Sequence, residues 1–126
     1  MSKSVRFFRI SYIALAWIFV ACVLLQVFIA GAAVFDPPHH WEQHKTFVHF
    51  FEFLPILMLI IAFPAKLSKS IRWQSLGLYG VIFVQYATAN LSSVWVIAAL
   101  HPVIAVALFW WSVSLARRAQ REKVNM

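Results

Sequence analysis

The sequence predicts an all-α protein: a transmembrane four-helix bundle, up-down-up-down, with both termini in the cytoplasm. Three observations predict it. The 126 residues are 63% hydrophobic and only 12% charged, too little polar surface for a water-soluble domain of this length. The apolar residues fall into long uncharged runs, and about 20 apolar residues in a helix cross a bilayer. The 11 Lys and Arg, against 4 Asp and Glu, gather in short clusters between those runs. Lipid offers no hydrogen bonds to a backbone, so the runs are read as helices. Residues 1–126 make one integral membrane domain.

The first span covers about 10–35, the uncharged stretch between Arg9 and Asp36. It is too long for the apolar region of a cleaved signal peptide, and three further spans follow it. Pro37 and Pro38 stop it. The second span, about 42–64, carries Glu52 as its one charge between Lys45 and Lys66. From Arg72 to Arg117 no charge occurs, which is room for two spans, about 73–90 and 94–116. The turn between them falls at Asn90-Leu91-Ser92-Ser93, the polar cluster of that stretch.

Charge sets the orientation. Lys3, Arg6, Arg9, Lys66, Lys69, Arg72, Arg117, Arg118, Arg121 and Lys123 fall on one side and Lys45 alone on the other. Loops rich in Lys and Arg stay in the cytoplasm. The net charge of +7 is therefore read as a topology signal rather than as affinity for nucleic acid. The place this implies is a bacterial cytoplasmic (inner) membrane, with Trp41, Trp73, Trp95, Trp110 and Trp111 in the interfacial belts. Short connections make neighbouring helices antiparallel, so helices one and three, and two and four, sit on the diagonals. Cys22, the single cysteine, excludes an internal disulfide.

Polar side chains inside a membrane span are costly and each needs a reason. Counted inward from the outer ends of the spans at about 1.5 Å per residue, Gln26, His49, Gln85 and His101 all lie roughly 10–13 Å deep, one from each helix. Glu52 follows His49 by three residues and shares its face. One reading is a hydrogen-bonded layer that fixes helix packing. The sharper one is a cofactor site: haem b between helices two and four, with His49 and His101 as iron ligands and Gln26, Glu52 and Gln85 around them. Ala98 and Ala105 beside His101, and Cys22, Ala30 and Ala33 beside Gln26, leave clearance for a flat macrocycle, and would equally serve close helix packing. Pro102 directly after His101 predicts a kink.

At the outer mouth His40 and His44 are four apart and share a face if the helix has begun there, a weak two-ligand pattern for zinc or copper. In the haem reading His44, Lys45 and Trp41 meet the propionates. His44 and His49 point about 140° apart on a helix and cannot both ligate one iron from the same face.

Gln26 with Ala30-Gly31, Trp41-Glu42-Gln43-His44 with His49, Gln85, and Ala99-Leu100-His101-Pro102-Val103 together resemble a family of small bacterial four-span membrane proteins that carries only a domain-of-unknown-function label. The resemblance covers nearly the whole chain and implies fold and location, not chemistry. The family pattern has Gly where this chain has Val48 and Ile104. The histidine layout is also similar in style to b-type membrane cytochromes and haem A synthase, by analogy alone.

Three functions stay open. The first is a haem b protein for electron transfer or redox sensing. The second is a structural or accessory subunit, whose partners are other membrane subunits or copies of itself. The third is a small proton-coupled transporter using Glu52, and the one-sided charge excludes the dual topology seen in some four-span transporters. No nucleophile-base pair or phosphate loop is visible, which weighs against an enzyme.

Overall fold

The computed structural model describes residues 1–36 and 38–124, and the side chains of Lys123 and Val124 fall outside the description. Pro37, expected to help stop the first helix, and the charge expected at Lys123 lie outside the described residues. The described chain is helical: α1 (Lys3–Phe35), α2 (His39–Phe51), α3 (Leu54–Ala62), α4 (Lys69–Asn90) and α5 (Trp95–Val124).

Side-chain caps open two of the helices. Ser2 Oγ accepts from Val5 N at 3.2 Å and Ser68 Oγ from Ile71 N at 3.4 Å, each satisfying an amide that the first helical turn leaves orphaned. α2 and α3 together form a rod, His39–Ala62, interrupted at Glu52 and Phe53. Pro55 is the cause, because it has no N–H to offer the Phe51 carbonyl. The rod returns to α4 through residues 63–68, where Lys66 takes φ 50° and Leu67 N reaches back to Ala62 O at 3.1 Å. α4 ends at Asn90 and the turn to α5 closes with Val94 N to Leu91 O at 3.0 Å, the place at which the polar cluster puts it.

α1 packs against α2 and α3 on one side and against α5 on the other, while α4 packs against α3 and α5. The core fills the end of the bundle near the chain termini: Tyr12, Ala16, Met58, Ala62, Leu67, Ile71, Leu78, Leu115 and Ala119 are all buried. Arg9 closes that end. It is 1% exposed and donates to Ala65 O, Lys66 O and Glu122 O, each at 2.9 Å, which ties α1, the turn after α3 and the end of α5 together. Ser68 donates to the Glu122 carboxylate from both its backbone N and its Oγ, at 3.1 and 2.6 Å.

Three helices, Lys3–Phe35, His39–Ala62 and Trp95–Glu122, are long and apolar enough to cross a membrane, and in their most apolar stretches only 22%, 22% and 11% of residues are buried in the fold. The rest of those apolar surfaces face outward, so the surroundings they suit are lipid. α4 is not one of the three: Gln74, Ser75, Gln85, Thr88 and Asn90 dilute its apolar character.

Candidate functional site

Away from the termini the packing is sparser and the polar side chains gather into two clusters. The first lies inside the bundle and draws on all four rods. Gln26 of α1 and His44 of α2 embrace: Gln26 Nε2 donates to His44 O at 2.8 Å, and His44 Nδ1 meets Gln26 O at 3.1 Å. On the far side, His101 Nδ1 of α5 meets Gln85 O at 3.1 Å and Thr88 Oγ1 at 3.0 Å, both on α4. The two imidazoles meet edge-on in a T-shape, with ring centroids 6.3 Å apart and planes at 68°.

The tautomers follow from the partners. A carbonyl oxygen can only accept, so the Nδ1 beside it must carry the hydrogen. His44 Nδ1–H therefore donates to Gln26 O. Thr88 already donates its hydroxyl hydrogen to Gln85 O at 2.9 Å, so its oxygen, like the carbonyl, accepts from His101 Nδ1–H. In the neutral form each ring then carries its hydrogen on Nδ1 and leaves a lone pair on Nε2. That is how metal-binding histidines are prepared, with Nδ1–H anchored on a carbonyl and Nε2 left for the metal. His44 Nε2 receives only a long contact, 3.4 Å, from the Gln26 amide. Gln26 Oε1 and Gln85 Oε1 are buried without a hydrogen-bond partner.

The second cluster lies on the outer surface of the bundle, between the α2–α3 break and α4. His49 Nδ1 meets Glu52 Oε1 at 3.2 Å, Tyr86 donates to Glu52 Oε2 at 2.5 Å, and the His49 and Tyr86 rings stack with centroids 6.2 Å apart. The His49 side chain is 62% exposed.

The structure thus brings Gln26, His44, Gln85 and His101 together. It sets His49 and Glu52, expected in the same layer, on another face with Tyr86. His49 and His44 point apart as their spacing requires, and the inward one is His44. Level counting from the two outer ends assigned the opposite. The reciprocal Gln26–His44 bonds place these residues at one height, so α1 overtops the start of α2 by roughly 6 Å, about one turn. His40 turns to Gln43 (2.6 Å) and Asp36 (3.2 Å), away from the partners of His44. Thr88 and Tyr86 were not singled out from the sequence, where hydroxyl residues in an apolar span carry no distinctive signal. Among the described residues no group of three or more His, Cys, Asp or Glu side chains converges as a bare metal ion would require.

Residues 26–93, just over half of the chain, match the model of one protein family, described as a family of unknown function, DUF6220. The match runs from Gln26 through His44, His49, Glu52, Gln85 and Thr88, and His101 lies beyond it. No curated protein matches the chain, and no solved structure does.

Proposed function

We propose, for a chain that belongs to the DUF6220 family of unknown function, a four-span protein of the bacterial cytoplasmic membrane that holds haem b on His44 and His101. The carrying observation is the adjacent pair of imidazoles, ring centroids 6.3 Å apart, with both Nδ1 atoms anchored. The His44 and His101 rings stand close enough for one bound group to reach both. Two protein ligands are too few for bare zinc or copper but are what haem iron takes, since the porphyrin supplies the other four.

The surroundings support the same reading. The orphaned Gln26 and Gln85 oxygens lie in the same layer as the two imidazoles. Ala30, Ala33, Ala98 and Ala105 keep side-chain volume low on the helices that carry Gln26 and His101. Bound there, haem would supply a one-electron couple, ferric to ferrous, for electron transfer or redox sensing. The protein's own part is to fix the two imidazole tautomers through Gln26 O, Gln85 O and Thr88.

The topology rests on charge and packing. Arg9, Lys66 and the Glu122 backbone meet at one end, together with the cationic clusters, which favours an up-down-up-down path with both termini in the cytoplasm. α4, at roughly 33 Å, is long enough to be the remaining span, its polar side chains turned partly toward neighbours.

An optical spectrum of the purified protein, oxidised and then dithionite-reduced, tests the reading. Six-coordinate b-type bands are expected, lost in His44→Ala and in His101→Ala and retained in His49→Ala. A colourless protein from haem-sufficient cells that takes up no added hemin overturns it and leaves the inner cluster as helix-packing architecture. Loss of the bands in His49→Ala with retention in His44→Ala would restore His49 as the ligand.

A further inference from the structure

The cluster of His49, Glu52 and Tyr86 is not used by the haem reading, and its position is hard to explain as packing. An imidazole 62% exposed beside a carboxylate that is 17% exposed is a costly pair for a span to carry. Glu52 lies roughly 20 Å from the His39 end of the α2–α3 rod and 15 Å from the Ala62 end. Phospholipid headgroups flank a hydrocarbon core about 30 Å thick, so they do not reach such a depth. Whatever satisfies these groups arrives sideways through the hydrocarbon.

The hydrogen-bond roles say what it must offer. Tyr86 spends its hydrogen on Glu52 Oε2, and His49 Nδ1 faces Glu52 Oε1, so with Glu52 ionised and His49 neutral the ring hydrogen is on Nδ1. What remains is acceptor capacity: the His49 Nε2 lone pair and the further lone pairs of the carboxylate. The missing partner is a donor of O–H bonds. The walls say what shape it has. Phe53 and Phe83 flank the cluster and are 61% and 59% exposed, and Tyr79 bridges them, with centroids 6.3 Å from Phe53 and 5.0 Å from Phe83. An aromatic stripe of this kind suits a flat ring with an apolar tail.

We propose that the seam between the α2–α3 break and α4 is a lateral binding site for a membrane quinol, whose ring hydroxyls donate to Glu52 and His49 while the ring lies against Phe53, Phe83 and Tyr79. Binding alone is assigned, and it does not depend on haem. The test is saturable retention of a radiolabelled short-chain benzoquinol, kept reduced under anaerobic conditions, by the protein in nanodiscs, corrected for empty discs. It is run on haem-free and haem-loaded protein alike, so that failure here and failure of the haem reading appear separately. Expected are saturable binding, a loss of about tenfold in Glu52→Gln and in His49→Phe, the equivalent of about one lost hydrogen bond each, and weaker binding of the matching quinone, which has no hydrogen to donate. Helicity and monodispersity equal to those of the parent protein certify that the variants are folded. Absence of saturable binding, indifference to both substitutions, or equal affinity for the quinone overturns the proposal. So does closure of the seam by a second copy, read as an efficient disulfide cross-link through His49→Cys in a Cys22→Ser background.

Discussion

The hydroxyl of Tyr12 donates to Ser75 Oγ at 2.7 Å, and the direction of that bond is fixed because Ser75 spends its own hydrogen on Ile71 O at 3.0 Å. Both residues are fully buried where α1 meets α4. The asymmetry makes the two deletions unequal. Tyr12→Phe removes a donor and leaves Ser75 still bonded, at about 0.5–1.5 kcal/mol, whereas Ser75→Ala strands a buried Tyr12 hydroxyl, at about 1–3 kcal/mol. The double variant should cost less than the sum of the singles. Reversible unfolding in mixed micelles, followed by helicity, measures all three, and equal costs for the singles would contradict the assigned bond direction.

Arg9 was legible as a cation near a membrane boundary, one of ten on that side, and nothing in the sequence separated it from Lys3 or Arg6. The structure separates it: Arg9 is 1% exposed and holds three carbonyls, while Lys3 and Arg6 are exposed. Arg9→Leu should therefore destabilise the fold by about 2–4 kcal/mol, because three backbone acceptors lose a charged donor. Arg6→Leu should leave stability within about 0.5 kcal/mol, as surface changes usually do. If both substitutions cost the same, the Arg9 clamp has no role beyond charge.

How far the sequence could be read follows the same division. Helix existence and the turn, expected at residues 90–93 and found at 91–94, were legible because lipid imposes long apolar runs and a polar interruption stands out. Gln85 and His101 were correctly placed at one level, since the turn between α4 and α5 is tight and counting from it is symmetric. Between α1 and α2 the counting failed. The stagger of about one turn is set by packing, and a five-residue spacing guarantees only that one of His44 and His49 faces inward, not which. The break at Glu52 was also invisible in the periodicity, although Pro55, its cause, was in plain view.

Gln85 offers a test of what the inner cluster is for. Its Oε1 is buried with no partner, so in haem-free protein Gln85→Met removes an unsatisfied acceptor at nearly constant volume. Stability should stay level or rise by up to about 1 kcal/mol. The same variant should shift a hemin titration to higher concentration if the oxygen serves the bound group. A Gln85→Met protein that is both less stable and unchanged in hemin titration would mark the side chain as ordinary packing.

Gly77 and Gly80 lie one turn apart on α4 and should respond in opposite directions to the same change. A Cβ at Gly77 would stand 2.5 Å from Trp111 Cη2 and 2.9 Å from Cζ2, closer than carbon atoms approach, whereas a Cβ at Gly80 meets nothing within 4 Å. The Trp111 ring cannot simply swing clear, because its Nε1–H donates to Gln74 Oε1 at 3.2 Å and holds α5 to α4. Gly77→Ala should therefore stretch or break that bond and cost about 1–3 kcal/mol, as overpacking does. Gly80→Ala should gain about 0.5–1 kcal/mol, since it removes only the backbone freedom of a mid-helix glycine. Tryptophan emission in a protein whose other indoles are replaced by Phe would report the moved ring directly. A shift in Gly77→Ala and none in Gly80→Ala is the expected pattern, and stabilisation by Gly77→Ala would mean that the α4–α5 seam is looser than the Trp111 contact implies.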